Sequence, residues 1–184
     1  MKVLGIDPGT RRLGWGVVEK TGTRLTHVAH GVIRANEAEP LCDRLVVIER
    51  ELVAVVAAHA PERASVESIF FAKDAQAAAK LGHARGVALL VCARAGLAVA
   101  EYPPARVKRT VAGGGRADKS QVAQMVRALL GLAAIPPEDA ADALAIAITA
   151  LQQTILGTAP PNPRLSELLR AAGAGLHRRR PKAV

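Results

Sequence analysis

The opening run KVLGIDPGTRRLGWGVVEKTGTRLTHVAHGVIR places the tightest limit on what this chain can fold into. Its apolar and β-branched residues gather at Val3–Ile6, Leu13–Glu19 and Leu25–Ile33, with Pro8-Gly9 in the first break. Short runs of that kind, bounded by turn formers, read as strands. Links this short leave no room for a crossover, so the three strands are expected to pair as an antiparallel meander. A meander with an apolar face needs a second layer packed against it.

The rest of the chain supplies that layer. Leu41, Leu45, Ile48, Leu52 and Val55 recur at helical spacing, which predicts a helix over Pro40–His59. RASVES then reads as a short buried strand, residues 74–95 as a second helix and GLAVAEY as a fifth strand. After Pro103-Pro104 come ARVKRTVA, a glycine loop GGGRA, a helix over Lys119–Leu130 and a last helix over Pro137–Gln153. The expected fold class is α/β, a mixed five-stranded sheet flanked by helices. GTAPPNPR then breaks the pattern, so a folded domain over 1–154 and a basic, flexible C-terminal tail over 155–184 are expected.

A formal net charge of +9 suggests an anionic partner such as nucleic acid. Much of the excess lies in the tail, where Arg164, Arg170, Arg178, Arg179, Arg180 and Lys182 face only Glu167. Cys42 and Cys92 lack metal-ligand spacing, fit a reducing compartment and are expected to be buried small hydrophobes. No window approaches a membrane span and no signal peptide is seen, so a cytoplasmic protein with no membrane partner is expected.

Several acids occupy positions that otherwise read as core. Asp7 closes the first strand before Pro8-Gly9, where a turn-forming aspartate is the plain alternative. Glu67 interrupts the buried central strand, and there an ion pair is the alternative. In EDAADALAIAIT, Glu138 and Asp139 suit a helix first turn, but Asp142 lies deeper, among alanines and Leu144. Asp139 and Asp142, three residues apart, share a helical face. If these acids converge, two like charges ~4 Å apart cost about 4 kcal/mol at an effective dielectric near 20, so protons or cations must neutralise them. Oxygen ligands without His or Cys suit Mg²⁺ or Mn²⁺, and two such ions can drive phosphodiester hydrolysis.

Two other motifs invite different readings. GGGRADKS nearly matches a phosphate-binding loop, but Asp118 replaces the required glycine and with Gln121 reads better as a helix capping box. IDPGT is similar to the first phosphate motif of actin-like ATPases and sugar kinases, folds that need two such domains. A catalytically silent DNA-binding subunit is a third possibility, disfavoured because acids that hold no metal repel phosphates.

LGIDPGTRRLGWGV, VESIFFAKDAQAAAKLGHARGVAL, EYPPARVKRTVAGGGRADKSQV and EDAADALAIAIT, taken in order, resemble the successive motifs of the RuvC family of Holliday-junction resolvases, from Met1 to about Gln153. The resemblance implies a ribonuclease-H-like fold and a homodimer. It implies symmetric, Mg²⁺-dependent nicking of two opposing strands of a four-way DNA junction, and partnership with the RuvA–RuvB branch-migration machinery. It assigns Asp7, Glu67, Asp139 and Asp142 to a two-metal site, which returns Glu138 to the helix start. It assigns Lys108 and Lys119 to catalysis and DNA contact, Phe70 to stacking on bases, and Lys73 to DNA. Arg106, Arg109 and Arg116 extend a phosphate-binding patch. Gly82 and Gly86, four apart on a helix, are placed at the dimer interface, with packing inside the subunit as the alternative. Ser68 and Asp74 stand where the family commonly has glutamine and asparagine.

Overall fold

The structure is a computed structural model and describes residues 1–68 and 75–153. Phe70, Lys73 and Asp74 and the tail from residue 155 onward lie outside the described residues. The elements run β1 (Lys2–Asp7), β2 (Arg12–Thr21), β3 (Arg24–Arg34), α1 (Leu41–His59), β4 (Arg63–Glu67), α2 (Ala75–Arg94), β5 (Ala98–Tyr102), α3 (Pro104–Ala112), α4 (Lys119–Leu130) and α5 (Glu138–Gln153). The expected meander and the five-stranded mixed sheet are both present, in the order β3-β2-β1-β4-β5. β1, β2 and β3 pair antiparallel, whereas β4 joins β1 and β5 joins β4 in parallel. This is the ribonuclease-H-like arrangement that the motifs imply. ARVKRTVA, left without an element by its sequence pattern, forms α3, started by Pro103 and Pro104 and ended at Gly113 in the left-handed conformation.

Alternation along the strands divides the core in two. Leu4, Ile6, Ala64 and Val66 face Ile48 and Leu52 of α1 and Ala84, Ala88, Val91 and Cys92 of α2. On the other face Val3 and Val18 pack with α3, α4 and the apolar residues of α5. Nearly every residue of α5 from Ala140 to Leu151 is buried, which explains why it reads as core. It can lie this close because the strands beneath it offer glycine. A Cβ on Gly5 would stand 2.0 Å from the Ala143 carbonyl oxygen, and one on Gly14 would stand 1.9 Å from that of Asp139.

Register then fixes the site. Ile6 pairs with Val66 in the parallel ladder, so Asp7 and Glu67 follow side by side at the C-terminal ends of adjacent strands. Gly14 is the antiparallel partner of Asp7 and also touches the first turn of α5. Two strand ends and a helix start therefore meet at one edge. One expectation fails: Cys92 is buried, but Cys42 is exposed, because position 42 opens α1 on the side away from Ile48 and Leu52.

Candidate active site

Asp7, Glu67 and Asp142 line one cavity of about 240 Å³, together with Lys108, Lys119 and the apolar wall of Val107, Val122 and Ile146. Each side chain arrives by a local rule. Val107 and Val111 form the buried stripe of α3, and Lys108, next to Val107, is brought to the cavity rim. Asp118 caps α4 by accepting from the Gln121 amide at 2.8 Å while the Gln121 side chain accepts from the Asp118 amide, so Lys119 takes the first helical position. The capping box is thus present, in place of a nucleotide loop.

The acids feel one another. Burial, followed by Glu67, Asp142 and Asp139, pushes the Asp7 carboxyl up to about 8, against a partial pull downward by Lys119. Burial and then Asp142 raise Glu67, with Lys119 and Lys108 opposing. Burial also raises Asp142, again opposed by Lys119. Such a shift joins two causes, loss of water around the carboxyl first and the repulsion of neighbouring acids second.

Cations on the chain answer part of that charge. Lys119 Nζ donates to Glu138 at 2.6 Å and lies 3.6 Å from Asp142, and the Glu138 bond leads the effects that hold the lysine above its ordinary range. Asp139 does not line the cavity; its carboxylate sits 3.6 Å from the Arg12 guanidinium. As they stand, no three acidic, histidine or cysteine side chains among the described residues are drawn together around a single point. The donor set nevertheless fits hard divalent cations: carboxylate oxygens only, at the ends of two strands and the start of a helix, with a half-buried Asp7 whose carboxyl is held well above its usual range.

Of the basic patch, Arg106, Arg109 and Arg116 are exposed, and Arg109 folds over Gly115. Among the described residues, nothing lies within 4 Å of a Cβ added at Gly82 or Gly86, so packing against those residues does not call for glycine at either position. Sequence reasoning missed three partners. Glu138 binds Lys119, Arg12 faces Asp139, and Arg85 of α2 donates to the Glu67 carbonyl at 3.3 Å and to the Glu101 carboxylate. Only tertiary register brings these pairs together; Arg85 had a faint signal, as a charge on the inner side of an Ala-rich helix.

A ribonuclease-H-like sheet that brings carboxylates and lysines to one edge defines a class, the nucleases built on this fold. Known proteins narrow the class. Residues 3–150 match the family described as crossover junction endodeoxyribonuclease RuvC. A protein of that name from Sorangium cellulosum is 57% identical over 176 residues, which span 93% of this chain and 98% of the relative. Another from Parvibaculum lavamentivorans is 54% identical over 94% of this chain and 95% of its own length. The structure of T. thermophilus RuvC in complex with a Holliday junction substrate matches with a TM-score of 0.81 at 40% identity, covering 88% of this chain and 99% of the other. The chain belongs to the RuvC family of crossover junction endodeoxyribonucleases. The actin-like, sugar-kinase and silent-subunit readings gain nothing from these relatives. No helix among the described residues is long and apolar enough to cross a membrane.

Proposed function

We propose that this chain resolves four-way DNA junctions as a homodimer in the cytoplasm. Each subunit would nick one of two opposing strands to leave 5′-phosphate and 3′-hydroxyl ends. The observation that carries the reading is the shared cavity of Asp7, Glu67 and Asp142 with Lys108 and Lys119 at its rim. RuvC-family membership implies metal dependence. Asp7, Glu67 and Asp142 would hold Mg²⁺, two ions with Asp139 once it leaves Arg12, with Mn²⁺ as a substitute. Bound there, the ions supply charge neutralisation and the polarity that makes water a nucleophile toward a phosphodiester.

The chain's own residues do the rest. Lys119 and Lys108 face the cavity from α4 and α3 and offset charge that develops on the phosphate oxygens. Val107, Val122 and Ile146 give the cavity an apolar wall, which lowers the local polarity and strengthens those contacts. Arg106, Arg109 and Arg116 carry the flanking backbone, with Phe70 stacking on a base and Lys73 on phosphate near the crossover. The open face at Gly82 and Gly86 meets the second copy. Association with RuvA–RuvB follows from the family resemblance.

The test is incubation with a synthetic four-way junction, a linear duplex and an RNA–DNA hybrid, each in Mg²⁺ or chelator. Paired symmetric nicks confined to the junction, and absent in Asp7→Asn, are expected. Equal cutting of all three substrates would overturn the reading.

A further inference from the structure

Beside the reaction cavity lies a second one, of about 310 Å³, lined by Ser120, Ile135, Pro136 and Glu138. Lys119 and Asp142 line both cavities and form the partition between them. Lys119 therefore has two stations. Its ammonium now leans into the second cavity, 2.6 Å from Glu138 and a full ångström farther from Asp142. Of these two cavities Glu138 lines the second and not the first, and it is not among the acids assigned to metal. Its carboxylate also feels the positive charge of Arg12, whose guanidinium lies 3.6 Å from Asp139, the next residue of α5. An oxyanion bonded by a lysine, with an arginine nearby, is the arrangement a phosphodiester would adopt at the same point.

We propose that Glu138 is a phosphate stand-in: in the free protein it holds Lys119 in the second cavity, and an arriving DNA phosphate displaces it and takes the lysine. The inference rests on the junction-binding role given above. Both partners are largely exposed, at 65% for Lys119 and 63% for Glu138. Exposed pairs are weak, so the hold is loose enough for a phosphate to break without a large loss of affinity. Such a contact would set the threshold at which DNA engages the site, because every productive phosphate must first outcompete one carboxylate. Glu138 is thus a positioning residue that acts through Lys119.

The test is a double-mutant cycle read as the dissociation constant for a fluorescent four-way junction in chelator, where no cutting occurs. Glu138→Gln is expected to bind about two- to fivefold more tightly than the parent, from the strength of exposed pairs. The gain should shrink with added salt and vanish in a Lys119→Met background, where nothing is left to release. A gain that persists with Lys119→Met would mean general charge repulsion, and no gain at all would mean an idle surface pair; either result overturns the inference. Thermal melts of each variant confirm folding, and Glu138→Asp, which keeps the charge but shortens the reach, should fall with Gln. Junction cutting by the parent in Mg²⁺ is scored separately. Failure there removes the nuclease reading, while the binding cycle still decides the role of Glu138.

Discussion

Asp7 concentrates the chemistry of this site in one group. It is fixed at the end of β1, beside Glu67 in the parallel register, and its carboxyl is pushed up to about 8 by burial and then by its acidic neighbours. An unfolded aspartate has its ordinary value of 3.8, so between there and about 8 the folded chain binds the additional proton. Stability contributed by this group is therefore lost as pH rises through that window. In chelator, the melting temperature should fall from pH 5 to pH 8, and Asp7→Asn should flatten part of the fall. For a domain of this size each kcal/mol corresponds to about 2–4 °C. Mg²⁺ should raise the parent's melting temperature more at pH 8 than at pH 5, and raise that of Asp7→Asn little. Identical slopes for both proteins, with no response to Mg²⁺, would count against a cation-bearing role. Activity gives an independent readout: loss of an outer-shell partner at a metal site costs ~10–100-fold, and loss of this carboxylate should exceed that.

At the scale of elements, α5 is positioned by glycine. Gly5→Ala puts a methyl 2.0 Å from the Ala143 carbonyl oxygen, a backbone atom that can move only if the helix moves. Overpacking of this kind costs about 1–3 kcal/mol, and here the displaced helix also carries Asp139 and Asp142. Gly5→Ala should lower the melting temperature and the junction-cutting rate together. Gly82→Ala, in open space on α2, should leave a monomeric fold intact and favour the helix by up to about 1 kcal/mol. Equal melting temperatures for the two variants would refute this account of the packing. The contrast also shows what the sequence could disclose. The meander, the helical spacing of Leu41 to Val55 and the Asp118–Gln121 cap are local patterns, and each is found where local rules put it. The acids could be picked out because charge inside an apolar run is conspicuous, yet their meeting depends on a register that no local pattern encodes. Glu138 had a satisfying local role at a helix N-terminus, which concealed its contact with Lys119, 19 residues away in sequence.

The whole molecule poses a problem of number, since the single reaction cavity described for one chain cannot cut two strands at once. The open face of α2 offers a solution. Gly82, Gly86 and Leu90 follow at intervals of four, on one stripe of the helix. A Cβ added at either glycine meets nothing within 4 Å among the described residues, and Leu90 is 47% exposed. On the neighbouring α1, Val46 and Val53 are exposed as well, so this layer presents apolar surface that a second copy would cover. The catalytic edge, at the ends of β1 and β4 and the start of α5, contains no residue of this stripe. Disruption of the stripe should therefore separate assembly from chemistry. Gly86→Arg puts a bulky cation at an exposed position of α2, where an added Cβ meets no described residue within 4 Å. By sedimentation equilibrium the variant should be monomeric where the parent is dimeric. On a supercoiled plasmid with an extruded cruciform, the parent should give linear product, because both cuts fall within one encounter. The variant should give nicked circles, because each cut becomes an independent event. A Gly86→Arg protein that remains dimeric and still linearises the plasmid would move the interface to another face. A monomer that cuts neither strand would mean that the second copy completes the site as well as doubling it.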